Sequence, residues 1–206
     1  MTQKFTILFD LDGTLIDTAP DLMGAHNHVM KKFGYSTKST SEIRNLVGKG
    51  AGAMIGRSIW GQAKKEFGKV EDENIKKEMV KEFLVWCQNQ KISLGICTNK
   101  PEHLAIDLLK KINIYNYFEY VAGSDTFDYC KPDPRHLTTV VEILDGDLKK
   151  TIMIGDSETE ANAAKAADIP MILLKDGYTE KNIDEIYHNH LIKDFIGIEK
   201  TISKYL

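Results

Sequence analysis

The sequence is short of several things, and each shortage removes a class of protein. It has three cysteines in 206 residues, Cys87, Cys97 and Cys130, and no pair has CxxC spacing. An odd, scattered set fits a reduced chain and gives no disulfide framework. Positive charge is not in excess: 27 Lys and Arg face 30 Asp and Glu, a net charge of -3, so no basic field invites nucleic acid. No apolar run approaches the roughly 20 residues of a membrane span. The opening MTQKFTILFD lacks the layout of a secretory leader. The expectation is a soluble cytoplasmic protein, monomer or homodimer, that binds neither nucleic acid nor membrane. Proline and glycine are both missing between Gly68 and Gly95, which leaves a helix free to run there unbroken.

What is there is enough apolar residue, 42%, for one sizeable core and a small second unit. Short apolar runs at 4–10, 92–98, 118–123, 150–156 and 170–175 read as strands, with a weaker sixth at 190–195. Helical patterns separate them. Continuous apolar strands alternating with helices predict an α/β fold: a parallel, Rossmann-like sheet with helices on both faces. One helix begins at Pro101 and carries Leu104, Leu108, Leu109 and Ile112; another, near Pro134, carries Leu137, Val140, Val141 and Leu144. Residues 17 to about 90 contain no convincing strand. There "TAPDLMGAHNHVMKKFG" predicts a helix capped by Thr18 with Asp21 as its capping-box partner, a stripe of Leu22, Ala25, Val29, Met30 and Phe33, and an end at Gly34. Two more helices follow, then a long one from about Glu73 to Gln90. The reading is a core of 1–16 and 84–206 and an all-helical cap, 17–83, inserted after the first strand.

Chemistry gathers at the strand ends. Asp10 and Asp12 close the first strand; side chains two residues apart point the same way, and Gly13 permits the turn that follows. Open α/β sheets place their ligands at this end. Two carboxylates so close need a cation or a shared proton. The second strand ends in Thr98 and Asn99, a hydroxyl and an amide ahead of a helix start, which suits a phosphate. Lys131 in "CKPDP" can act as a point cation. The fourth strand ends in "GDSETE", with Asp156 and, four residues on, Glu160. Asp10 and Asp156 on neighbouring strand ends match the one or two carboxylates by which Mg²⁺ is usually held.

"DLDGTLIDT", "CTNKP", "KPDP" and "GDSETEANAAKAA" together resemble the four ordered motifs of the haloacid dehalogenase-like hydrolases. "DTAPDL", "RNLVGKGA" and "DGYTE" resemble the phosphoglycolate phosphatase-like branch. The resemblance implies that Asp10 is a nucleophile forming an aspartyl-phosphate and that Asp12 is general acid and then base. It implies that Thr98 and Asn99 hold phosphoryl oxygens and that Lys131 offsets charge. Mg²⁺ would be held by Asp10, Asp156 and the backbone carbonyl of Asp12, with Gly13, Thr14 and Glu160 in support. Lys49, in the Gly-rich turn of the cap, would meet a substrate carboxylate. The implied partner is a small phosphorylated metabolite, 2-phosphoglycolate first. Another phosphotransfer enzyme of the fold (a hexose-phosphate mutase, pyrophosphatase or nucleotide phosphatase) and a non-catalytic phospho-receiver or ligand-binding relative stay open. Two departures stand out: Glu160 occupies a place where relatives commonly have Asp, and the cap looks shortened to three main helices.

Overall fold

In the computed structural model, which describes residues 4–48, 51–59, 73–179 and 181–206, six strands form one parallel sheet. They are β1 (Lys4–Phe9), β2 (Ser93–Cys97), β3 (Tyr120–Ala122), β4 (Gly146–Gly155), β5 (Met171–Leu174) and β6 (His190–Ile192). Their order is β3-β2-β1-β4-β5-β6. All neighbouring strands pair parallel, as the continuous apolar runs predict. β4 starts earlier than the sequence suggests, because its first residues are partly exposed and carry no apolar signal.

Alternation along β1 builds the two layers. Ile7 and Phe9 join a cluster with Phe83, Leu84 and Cys87 of α4 (Glu73–Asn89), Ala105 and Leu109 of α5 (Glu102–Lys111) and Ile198 and Ile202 of α8 (Ile198–Ile202). Leu8 faces the opposite layer, with Leu137, Val140 and Val141 of α6 (Arg135–Ile143) and the alanines of α7 (Glu158–Ala166). Small side chains let α7 lie close on the sheet. α4 is one continuous helix, as the stretch without Pro or Gly predicts.

Between β1 and α4 the described residues form α1 (Ala19–Lys32), α2 (Thr40–Arg44) and α3 (Ala51–Ile59). Ile43, Leu46 and Met54 make a small apolar cluster of their own there, backed by Leu22, Met23 and Val47. Three details differ from the sequence reading. Thr18 precedes α1 but makes no side-chain cap, its backbone being helical (φ -99°, ψ 0°) where a capping side chain needs an extended one, and the Ala19 N–H donates to Asp17 Oδ1 and the Tyr178 hydroxyl at 3.2 and 3.0 Å. The buried face of α1 is Ala19, His26 and Met30, while Ala25 and Phe33 are exposed. The helix packs through its start and its middle, so the apolar Phe33 lies beyond the contact. Finally, Leu104 does not join the core beside Leu109; it is exposed toward a cavity described below.

The chain leaves β1 for β2 and β3 on one side, then crosses to β4, β5 and β6 on the other. The order reverses around β1, and such switch points open a crevice at the carboxyl ends of the strands.

Candidate active site

Strand pairing carries the backbone right up to the crevice. The Asp10 N–H donates to Ile154 O at 2.9 Å and the Thr98 N–H to Ala122 O at 2.9 Å. The backbone of both residues is therefore fixed by sheet geometry. The chain then folds back on itself: the Leu15 and Ile16 N–H groups donate to Leu11 O, and Gly13 N–H to Ile16 O at 2.8 Å.

The buried Lys131 ammonium donates to Asp10 Oδ1 and to Glu160 Oε1, both at 2.6 Å. Glu160 Oε2 accepts from the Ser157 N–H at 3.1 Å and from the Ser157 hydroxyl, closing a capping box at the start of α7. The extra methylene of Glu thus lets one carboxylate cap a helix and hold Lys131 together. Burial, with the nearby negative charges of Glu160 and Asp12, pushes the Asp10 carboxyl up to about 7 against the pull of Lys131. Burial disfavours the charge on Lys131, but Asp10 and Glu160 outweigh it and hold the ammonium protonated.

Asp156 is fixed from two sides. Thr14 Oγ1 donates to its Oδ1 at 3.1 Å, and the Tyr178 N–H to its Oδ2 at 2.6 Å. Carboxylate oxygens of Asp10, Asp156 and Glu160 lie within 4.8 Å of one another, and all three residues are buried. These are hard oxygen donors, and buried carboxylates so close to one another repel. Both properties fit a divalent cation such as Mg²⁺. With Glu160 engaged by Lys131 and Ser157, Asp10 and Asp156 are the residues that would hold it.

Two expected phosphate partners behave differently. Thr98 Oγ1 accepts from the Lys100 N–H at 3.2 Å and faces the cavity. The Asn99 side chain donates to Gly48 O at 3.2 Å and to Lys131 O at 3.0 Å, tying the insert to the Lys131 loop. Lys49 lies outside the described residues.

The sequence reading passed over two features. Lys100 Nζ pairs with Asp12 Oδ1 at 2.9 Å. And the three segments that carried the branch resemblance meet. Arg44 Nη2 and the Tyr178 hydroxyl both donate to Asp17, and the Arg44 guanidinium stands 5.5 Å from the Tyr178 ring centroid. Burial raises and the two hydrogen bonds lower the Asp17 carboxyl, and the lowering wins. "DTAPDL", "RNLVGKGA" and "DGYTE" held the signal, but nothing in them says that they touch.

Beside them lies a cavity of about 120 Å³. Asp10, Asp12, Thr98 and Asp156 line it together with Leu22, Val47, Met54 and Leu104. Against this geometry the similarities fall into place. The sequence model of the haloacid dehalogenase-like hydrolases matches residues 7–174. The chain belongs to the haloacid dehalogenase-like hydrolases. It is similar to the phosphoglycolate phosphatase of Mesorhizobium japonicum, 34% identical over 97% of this chain and 95% of that protein. It is similar also to that of Agrobacterium fabrum, 32% identical over 96% and 94%. Among solved structures, a predicted phosphoglycolate phosphatase from Haemophilus somnus superposes with a TM-score of 0.83 at 27% identity, covering 98% of this chain and 99% of that one. This hydrolase stands in the phosphoglycolate phosphatase-like branch of its family.

Proposed function

We propose that this haloacid dehalogenase-like hydrolase is a Mg²⁺-dependent phosphatase that cleaves a small phosphomonoester through an aspartyl-phosphate. The first candidate substrate is 2-phosphoglycolate. The observation that carries the reading is Asp10: a buried carboxylate at the switch point of the sheet, paired with a buried lysine and close to Asp156. The relatives named phosphoglycolate phosphatase support the substrate class.

In this reading an Asp10 oxygen attacks phosphorus and the bond to the leaving alcohol breaks. Asp12 gives its proton to the departing oxygen. Asp12 then takes a proton from water, the water oxygen attacks the aspartyl-phosphate, and phosphate leaves with Asp10 restored. Lys131 keeps Asp10 oriented and offsets the charge gathering on the phosphoryl group. The Thr98 hydroxyl can turn its hydrogen to a phosphoryl oxygen. Mg²⁺, held by Asp10 and Asp156 and the Asp12 backbone carbonyl, would supply Lewis-acid charge stabilisation and orientation. The insert ahead of α4 acts as the cap, since α1, α3 and the segment after α2 each place an apolar side chain on the cavity wall. Closing such a unit excludes water from the reaction.

Phosphate release from a panel of small phosphomonoesters, with Mg²⁺ and with excess EDTA, tests the proposal. The expected result is metal-dependent turnover with 2-phosphoglycolate among the best substrates. Full turnover in chelator removes the metal from the account, and no release from any monoester removes the phosphatase.

A further inference from the structure

Lys131 is buried behind Asp10 and Glu160 and does not line the cavity. Among the described residues, Lys100 is the cation that does. It follows Thr98 and Asn99 at the end of β2, and its ammonium sits 2.9 Å from Asp12 Oδ1, each side chain 13% exposed. Asp12 is the group that, in the reading above, hands a proton to the leaving oxygen. Whatever lies beside Asp12 on the cavity side is therefore the leaving group, and Lys100 stands next to it.

Apolar side chains line the same cavity, Leu22 from α1, Val47 beyond α2, Met54 from α3 and Leu104 from α5, beside the polar Asn99, Ser157 and Tyr178. A single ammonium with three donors suits a single negative charge, and it can hold Asp12 and a second anion together.

We propose that Lys100 is a specificity-determining residue that selects leaving groups carrying a carboxylate close to the ester oxygen. The inference rests on the phosphatase reading and deepens it. It places the reader of the leaving group on the core, in the loop after β2. A methylene between the ester oxygen and the carboxylate would lie against the apolar wall, and the carboxylate would meet the Lys100 ammonium beside Asp12.

The test compares 2-phosphoglycolate with its amide, 2-phosphoglycolamide, which has nearly the same shape and no leaving-group charge. Both are assayed with Mg²⁺ on the full chain and on Lys100→Met. The wild-type enzyme should prefer the carboxylate by about 30-fold in kcat/KM, the size of a charge-assisted hydrogen bond. In Lys100→Met that preference should fall to within about 3-fold, with both substrates still turned over. Equal loss on both substrates, with the preference intact, overturns the proposal and leaves Lys100 as a support for Asp12. A wild-type enzyme indifferent to the charge overturns it as well. So does a preference that survives in Lys100→Met and disappears in Lys49→Met, which moves the reader to the insert. If the wild-type enzyme releases phosphate from neither compound nor from p-nitrophenyl phosphate, the phosphatase reading itself is wrong and the inference falls with it.

Discussion

Gly13 sits at φ +90°, a conformation that side chains rarely adopt, and a Cβ there would fall 2.2 Å from Asp156 Oδ2. The glycine is thus required twice, by the turn and by the acid it touches. Gly13→Ala must move either the loop or Asp156, and Asp156 is held by Thr14 and by the Tyr178 N–H. Disturbing the support of a metal ligand typically weakens binding 10–100-fold. Calorimetric titration of Gly13→Ala with Mg²⁺ should show a loss in about that range. Unchanged affinity would mean that Asp156 is not a ligand. Glu160 belongs to the same scale: its length turns one carboxylate into both a helix cap and a lysine clamp.

At the scale of elements, Asp17, Arg44 and Tyr178 bind the start of α1, the end of α2 and the loop after β5 into one buried group. Removing one partner of a buried ion pair leaves an uncompensated charge and costs about 3–5 kcal/mol, whereas removing both costs much less. Arg44→Met should therefore destabilise by about 3 kcal/mol in urea unfolding, and adding Asp17→Asn should recover part of that loss. Additive losses would show that the pair is not coupled. The strands and their ends were legible because each is a buried apolar run, and a residue directly after such a run has its place set by the sheet. That put Asp10, Thr98 and Asp156 at one edge before any contact was known. Long-range partners leave no such mark. Tyr178 is 161 positions from Asp17, and Lys100 is 88 from Asp12. The Thr18 cap is absent for a local reason, since its backbone is helical where a capping residue is extended. The composition of α5 gave Leu104 to the core, because periodicity cannot tell a wall of a cavity from a wall of the core.

For the whole molecule, stability and catalysis meet in α6 just beyond the Lys131 loop. His136 is fully buried, with Phe127 edge-on at 5.9 Å. Burial first, and the Lys131 charge second, lower its pKa to about 4 from 6.5. The unfolded chain therefore takes up a proton below pH 6.5 that the folded chain refuses until about 4, so this contribution to stability is lost as pH falls through that window. Between pH 7.5 and 5 the loss from this group is about 2 kcal/mol. Denaturant unfolding at the two pH values should show that much less decline in His136→Gln than in the wild-type chain. An identical decline in both would mean that His136 titrates normally. The sheet order brings Asp10, Thr98 and Asp156 from the ends of three strands to one crevice.

In the proposed mechanism Asp10 bonds to phosphorus while Asp12 moves the proton. Asp12→Asn keeps the nucleophile and the backbone carbonyl and loses the proton shuttle, a loss of about 10²–10⁴ in rate. With p-nitrophenyl phosphate, whose leaving group needs little protonation, formation of the aspartyl-phosphate should suffer less than its hydrolysis. The measurement is peptide mass spectrometry on Asp12→Asn quenched during turnover with Mg²⁺. The expected result is one added phosphoryl group on the peptide holding residue 10, and none in Asp10→Asn treated alike. A phosphoryl group that persists in Asp10→Asn, or that is found on Asp12 and never on Asp10 in the wild-type chain, contradicts it.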